Sequence, residues 1–436
     1  MRSNQVDVLI VGAGAAGLAA AQELVAAGHR VVVVEARGRT GGRICTLRDP
    51  AGGAVEAGAE FVHGRADATE RLARRAGVAL AEESAARWIH DGGAFRSGAP
   101  LFDQAQRVLI DAVARAGGRD LPVRAALDAA PPPAAIRARV ERFVHGFHAA
   151  DPERVSLRFA APGDADPDLA ERVRRWPGGY HGLVARLARN LPIRLGTVVT
   201  ELRWRRGAVV AHLRSATGAA LPTVHARAAI VTLPLGLLRA RPGVPGAIRF
   251  APELPAPKQR AADALGFGAA LKVVLGFRRP PFPCGGVHEL PGRAIPTWWC
   301  APGTDRVVVG WAAGGDAEAL TGRPDHVLRD AGLGSLAAGL GRAPAELAAE
   351  LEHWSVHDWR ADPFARGAYS WVPAGALGAP AALAAPVAET LFFAGEATAS
   401  LEAIGTVHGA VATGQRAARE VAAALAPAEV DVARAA

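Results

Sequence analysis

Lysine is nearly absent. The chain of 436 residues holds 50 lysines plus arginines, and only Lys258 and Lys272 are lysine. Cysteine is as scarce: Cys45, Cys284 and Cys300, an odd number without CxxC or metal-like spacing. This predicts neither a disulfide framework nor a metal site, and it fits a reducing compartment. Long apolar runs are missing too. Ala228–Leu238, one of the longest, is broken by Pro234 and falls well short of the roughly 20 residues of a membrane span. The opening MRSNQ leads straight into a strand pattern, leaving no room for a signal peptide. A cytoplasmic protein without membrane attachment is expected. No internal repeat is present.

Net charge is +8, yet the arginines are scattered, with no run longer than Arg-Arg and no interleaved aromatics. A solvated arginine-rich surface explains this better than a nucleic-acid partner. Half the residues are hydrophobic and 21% are charged, a globular balance, and the length predicts two domains.

The first element is VDVLIVGAG, a continuous apolar run of the kind that forms a central parallel strand. AAGLAAAQELVAAG then reads as a helix ending at Gly28, and RVVVVEA as a second strand. Between them, Gly12-Ala13-Gly14-Ala15-Ala16-Gly17 is GxGxxG, placed where a helix N-terminus would face a pyrophosphate. Glu35 closes the second strand, where a carboxylate would accept from ribose hydroxyls. The following Arg37-Gly38-Arg39-Thr40-Gly41-Gly42-Arg43 offers a second glycine pair flanked by arginines, which points to a cofactor larger than NAD. From about Ala66 to Pro192 the pattern is mostly helical, with breaks at Gly117-Gly118, Pro131–Pro133 and Ala161–Pro167. Strand patterns return from Ile193 onward, and the chain closes with LFFAGEA, a helix over Thr406–Leu425 and a tail from Pro427 expected to fray.

VGAGAAGLAAAQEL…VVVVEARGRTGGR resembles the opening of the FAD-dependent amine oxidases, the family of monoamine oxidases, polyamine oxidases and flavin histone demethylases. Blocks in order along the chain are similar as well: GAVEAGAEFVHG, WPGGYHGLVARL, AAIVTLPLGLL, FAPELPAPKQRAADALGFGAALKVVLGF, WRADPFARGAYSW and LFFAGEATASLEAIGTVHGAVATGQRAA. The region between about Ala66 and Leu169 has no matching motif.

The resemblance implies an α/β fold: a discontinuous Rossmann-type FAD domain (1–80, 187–255, 386–436) with an inserted α+β substrate domain (81–186, 256–385). It implies cofactor contacts from Gly12, Gly14, Ala15, Ala16 and Gly17; from Glu35 at the ribose; and from Arg37, Gly42 and Arg43 beside the pyrophosphate. Gly58, Ala59, Glu60 and Phe61 would pass the flavin by backbone. Val199 would lie at the adenine end, Gly395 and Glu396 at the ribityl–phosphate region, and Thr406 and Val407 at the pyrimidine edge. A helix N-terminus at Gly405–His408 would stabilise negative charge on reduced flavin.

In strand geometry Lys272 shares a face with Ala270, Val274 and Gly276, while Leu271, Val273, Leu275 and Phe277 occupy the other. A buried ammonium there must be neutralised, paired or hydrated. The resemblance implies that Lys272 holds a water near the flavin and serves its reoxidation by oxygen, with Trp359 beside that water. It makes Tyr369 one wall of an aromatic cage, with Thr406 in place of the second, and sets His63 facing the substrate amine. A polyamine or other secondary amine is the expected substrate and molecular oxygen the acceptor, in a monomer or homodimer. An aromatic monoamine or an L-amino acid is the alternative substrate. A non-oxidase flavoprotein or a chromatin partner is the reading from another class. No carboxylate pair and no Ser/His/Asp arrangement is evident.

Ala368 stands where monoamine oxidases carry their flavin-linked cysteine, so the FAD is expected to be non-covalent. Acid denaturation followed by filtration should release the yellow colour; colour retained on the protein would contradict this.

Overall fold

The computed structural model describes residues 5–50, 53–84, 86–98, 101–161 and 172–426. The opening residues, most of the break expected at 161–167 and the tail from Pro427 lie outside these.

Val8–Val11 sits at the centre of a five-stranded parallel sheet, flanked by Val31–Val34 and Ala228–Val231. Ile193–Arg194 and Leu391–Phe393 form the edges, so one sheet gathers strands from widely separated parts of the chain. All four residues of Val8–Val11 are buried because both faces are covered. Val8 and Ile10 pack with the helices Ala15–Ala26 and Val407–Leu425. Leu9 and Val11 pack with Val199, Leu202 and Val209 of a four-stranded sheet. The two helices cross at Gly414, where an added Cβ would lie 2.1 Å from the carbonyl oxygen of Ala16.

A second large sheet has seven strands, ordered Leu351–Asp358, Ala270–Phe277, Val307–Ala313, Thr297–Cys300, Val287–Glu289, Arg87–Asp91 and Ala94–Ser97. The alternation expected around Lys272 is present. Leu271, Val273, Leu275 and Phe277 enter a core with Trp298 and Leu336. The opposite face carries Val274 with Trp299 and Val309, and Lys272 stands opposite Trp311.

One expectation is refined and one overturned. The mostly helical region holds the helices Leu101–Ala116 and Ala134–Phe147, but also the strands Arg87–Asp91 and Ala94–Ser97 at the edge of the seven-stranded sheet. Asp91-Gly92-Gly93 is a hairpin turn, with positive φ at both glycines (59° and 95°), and was the missed signal. Cys284 and Cys300 form a disulfide, with Cα atoms 5.8 Å apart. Antiparallel pairing of Val287–Glu289 with Thr297–Cys300 brings the two segments together, something sequence spacing does not reveal. The cysteines therefore lend no support to a reducing compartment. Among the described residues no helix is long and apolar enough to cross a membrane.

The other lysine is also interior. Lys258 Nζ donates to the carbonyls of Ala382 (3.0 Å), Leu383 (2.7 Å) and Ala385, at the end of the helix Ala379–Ala384. It lies 4.2 Å from the ring centroid of Phe393 in the parallel sheet. Burial pulls its ammonium down to about 8. Lys258→Met leaves those carbonyls without their donor and should lower stability by about 2–3 kcal/mol, read from the urea midpoint. An unchanged midpoint would show that the carbonyls find other partners.

Candidate active site

One cavity of about 1540 Å³ runs from the glycine loop to the seven-stranded sheet. It exceeds the roughly 300–1,000 Å³ of an ordinary small-ligand site and has room for a dinucleotide and a substrate together. Every residue named above as catalytic or cofactor-binding borders it except Gly17. A Cβ on Gly17 would lie 2.0 Å from the carbonyl oxygen of Gly12, so this glycine serves helix–strand contact. Gly12 has φ +106°, and a Cβ there would meet the Thr232 hydroxyl at 2.5 Å. Gly14 faces open space, with nothing within 4 Å of an added Cβ, and bridges to Gly41 of the second glycine loop.

Polar groups brace this end. Glu35 accepts from the amides of Ala13 (2.8 Å) and Arg37 (3.0 Å), and each carboxylate oxygen keeps a lone pair for a ligand hydroxyl. Arg37 pairs with Asp362 at 2.5 Å and lies over the Phe364 ring. Arg43 pairs with Glu396 at 2.8 Å and donates to the Ala368 carbonyl at 2.6 Å. Glu396 also accepts from Ser370 N, Ser370 Oγ and Gly405 N, which fixes the approach to the last helix. Thr406 caps that helix, accepting from Gly409 N at 3.0 Å. Arg39, assigned nothing from sequence, donates to the carbonyls of Thr40, Gly42 and Ile44 and so ties down the second glycine loop. An open Gly14, a helix N-terminus and a carboxylate with free lone pairs fit an FAD, with Val199 buried on the neighbouring sheet.

The middle of the cavity is built on residues 56–60. Lys272 Nζ donates to Glu56 O (2.9 Å), Gly58 O (3.0 Å) and Glu60 Oε2 (2.5 Å). Trp359 Nε1 takes the carbonyl between, Ala57 O, at 2.9 Å. All three ammonium hydrogens thus have protein acceptors, and a water could join Lys272 only by displacing one. Gly58 is squeezed in place: a Cβ would lie 2.0 Å from Arg43 O and 3.0 Å from Trp359 Cζ2. Glu60 accepts further from Arg175 Nη1 (2.5 Å) and Trp299 Nε1 (2.9 Å), and Phe61 lies under the Arg175 guanidinium.

Glu56 and Glu60 lie close enough for the charge of Glu60 to act on Glu56. Burial, together with that charge, pushes Glu56 up to about 7, against the pull of hydrogen bonds from Tyr180 N and Thr46 Oγ1. Sequence reading missed the pair because its members gain meaning only through Arg175, Trp299 and Tyr180, which lie more than a hundred residues away.

The substrate side holds Tyr369, whose hydroxyl donates to Phe147 O at 2.8 Å and whose phenol is pushed well above its usual range by burial. A Cβ on Gly405 would touch the Tyr369 ring at 3.4 Å, so the turn leading into Thr406 packs against that ring. Burial, with His408 nearby, pulls His63 down to about 4, and burial does the same to His408. Both imidazoles are neutral at neutral pH. Phe143 stacked on Phe147, with His148 edge-on to both and Phe159 tilted against His148, completes an aromatic wall that sequence reading did not assign.

Residues 15–422 match the family model described as flavin containing amine oxidoreductase. The chain is 28% identical to polyamine oxidase 3 of Oryza sativa subsp. japonica, over 96% of this chain and 90% of that one. It is also 28% identical to lysine-specific histone demethylase 1 homolog 2 of Arabidopsis thaliana, covering 95% of this chain but 58% of that relative's length. Among solved structures, wild-type putrescine oxidase bound to putrescine superposes with a TM-score of 0.78 at 23% identity, over 96% of this chain and 99% of that one. Cyclohexylamine oxidase from Brevibacterium oxydans IH-35A gives 0.77 at 21%, with the same coverage.

The raised Glu56 carboxyl makes stability depend on pH. Its folded value, about 7, lies above the usual 4.5, so the folded state binds the extra proton between them. That stability is whole below pH 4.5 and is lost as pH rises through 7, a change on the order of 3 kcal/mol. Glu56→Gln removes the titration and should gain on the wild type between pH 5 and 8 in urea midpoints. A difference constant with pH would contradict this.

Proposed function

The chain belongs to the flavin-containing amine oxidoreductases, whose cofactor is FAD, and we propose that it oxidises a C–N bond of a small amine with molecular oxygen as acceptor. The observation that carries this is a single cavity joining the dinucleotide loop, the Lys272–Glu60 pair and the Tyr369–Thr406 corner. FAD, held by Glu35, the glycine loops and Thr406, would supply the two-electron acceptor for the C–H beside the amine nitrogen and the donor to oxygen. The amine would lose that hydride and its N–H proton to give an imine, which water hydrolyses to a carbonyl compound and a smaller amine; oxygen would take the electron pair and both protons as hydrogen peroxide.

The chain's own groups have separable tasks. Tyr369, fixed by its bond to Phe147 O, offers the amine a rigid ring face. Neutral His63 can accept from the N–H of a neutral amine. Lys272 holds positive charge where negative charge develops as oxygen is reduced. Ala368 leaves no thiol to bond the FAD, so the cofactor is held non-covalently.

For the substrate, a secondary amine, a polyamine included, is the first reading. Thr406 in place of a second aromatic wall leaves lateral room for a substituted nitrogen, and the polyamine and putrescine oxidases among the similar proteins agree. The Phe143–Phe147–Phe159 wall suits an apolar body on that amine. An amino acid is the second reading. It is favoured by Arg142 and Arg293, which border the cavity and have no carboxylate partner among the described residues. A peroxide-coupled screen of monoamines, secondary amines, polyamines and L-amino acids tests both. Turnover is expected to be highest with a secondary amine bearing an apolar group. Preference for an amino acid, lost in Arg142→Gln, would favour the second reading, and no peroxide from any class would overturn the oxidase assignment.

A further inference from the structure

Glu60 has a chemical position that its place in the cavity-lining loop does not explain. Its side chain and that of Lys272 are each only 3% exposed, and they face one another at 2.5 Å. Its other oxygen takes Arg175 Nη1 and Trp299 Nε1. Arg175 has a second carboxylate, Glu83, at 3.0 Å from Nε. Lys272 has no carboxylate but Glu60 among the described residues; its two remaining bonds go to backbone carbonyls. Neighbouring Glu56 is pushed up to about 7 by burial, so near neutrality it supplies only part of a charge. The charge of Lys272 is therefore balanced by one carboxylate, while two backbone carbonyls keep its remaining hydrogens bonded.

We propose that Glu60 is a positioning residue: by direct ion pairing it holds the Lys272 ammonium as a fixed charge in the wall of the FAD cavity and balances that charge. This rests on the flavin-oxidase reading. Two opposite charges in one water-poor wall act on a bound FAD with opposite signs. Removing the negative one leaves Lys272 and Arg175 in excess and stabilises the reduced, negatively charged cofactor. Removing the positive one does the reverse.

The test is the midpoint potential of the bound FAD, measured spectroelectrochemically in wild type, Glu60→Gln, Glu60→Asp, Lys272→Met and the Glu60→Gln/Lys272→Met double variant. Glu60→Gln should shift it upward and Lys272→Met downward. The double variant should return close to wild type, and Glu60→Asp, which keeps the charge, should restore it. Reoxidation by oxygen should slow about tenfold in Lys272→Met, while anaerobic reduction changes little. Single variants that move the potential in the same direction, or not at all, overturn the proposal, because a merely structural role gives no opposed signs. Should Glu60→Gln fail to retain FAD, Lys272→Met and Glu60→Asp decide: a downward shift in the first with none in the second supports the proposal, and an unmoved first overturns it. The potential is read without any amine. Opposed shifts in a protein that turns over no amine would sink the substrate reading alone, and turnover without the shifts would sink the Glu60 proposal alone.

Discussion

The grip on residues 56–58 is the interaction on which the rest of the site depends. Three successive carbonyls, of Glu56, Ala57 and Gly58, are held by Lys272 and Trp359, side chains from two different parts of the seven-stranded sheet and its following loop. A backbone segment held this way cannot retreat from the cavity it borders, because releasing it would strand a buried ammonium and an indole N–H. The same segment meets Arg43 through the Ala59 amide and Gly58, so the glycine loops on one side and the mixed sheet on the other are joined through it.

The cavity is preorganised before any ligand arrives. Arg37 is paired with Asp362, Arg43 with Glu396 and Lys272 with Glu60, and Glu396 also fixes the amide that leads into the last helix. Charges fixed in advance need little reorganisation when charge develops on a ligand. The two lysines share one device. Each is an interior ammonium whose three hydrogens go to three acceptors, largely backbone carbonyls that would otherwise lie unsatisfied. A compact ammonium serves three converging acceptors from a single nitrogen, whereas a guanidinium spreads its donors over several nitrogens in one plane, which gives a physical reason for lysine at these places in an arginine-rich chain.

Much was legible in the linear chain because the signals are local. The opening βαβ unit, the glycine loop and the buried alternation around Lys272 each depend on spacing within one or two elements. The residues assigned from sequence border a single cavity because their blocks are repeatedly placed at strand ends and helix starts. What failed was of two kinds. The Arg87–Ser97 hairpin has a local signal in its Gly92-Gly93 turn, whereas the Cys284–Cys300 bond depends on strand pairing and the network about Glu60 on distant stretches of chain.

The sequence by itself determined the opening βαβ unit, its glycine loop and the fact that Lys272 needed a partner, since period and local turn chemistry suffice for these. Only the tertiary structure decided who that partner is. Glu60 sits 212 positions from Lys272, and Arg175 joins them from a third segment. The charge state of a buried group is set by what surrounds it in space, and no spacing rule along the chain encodes that.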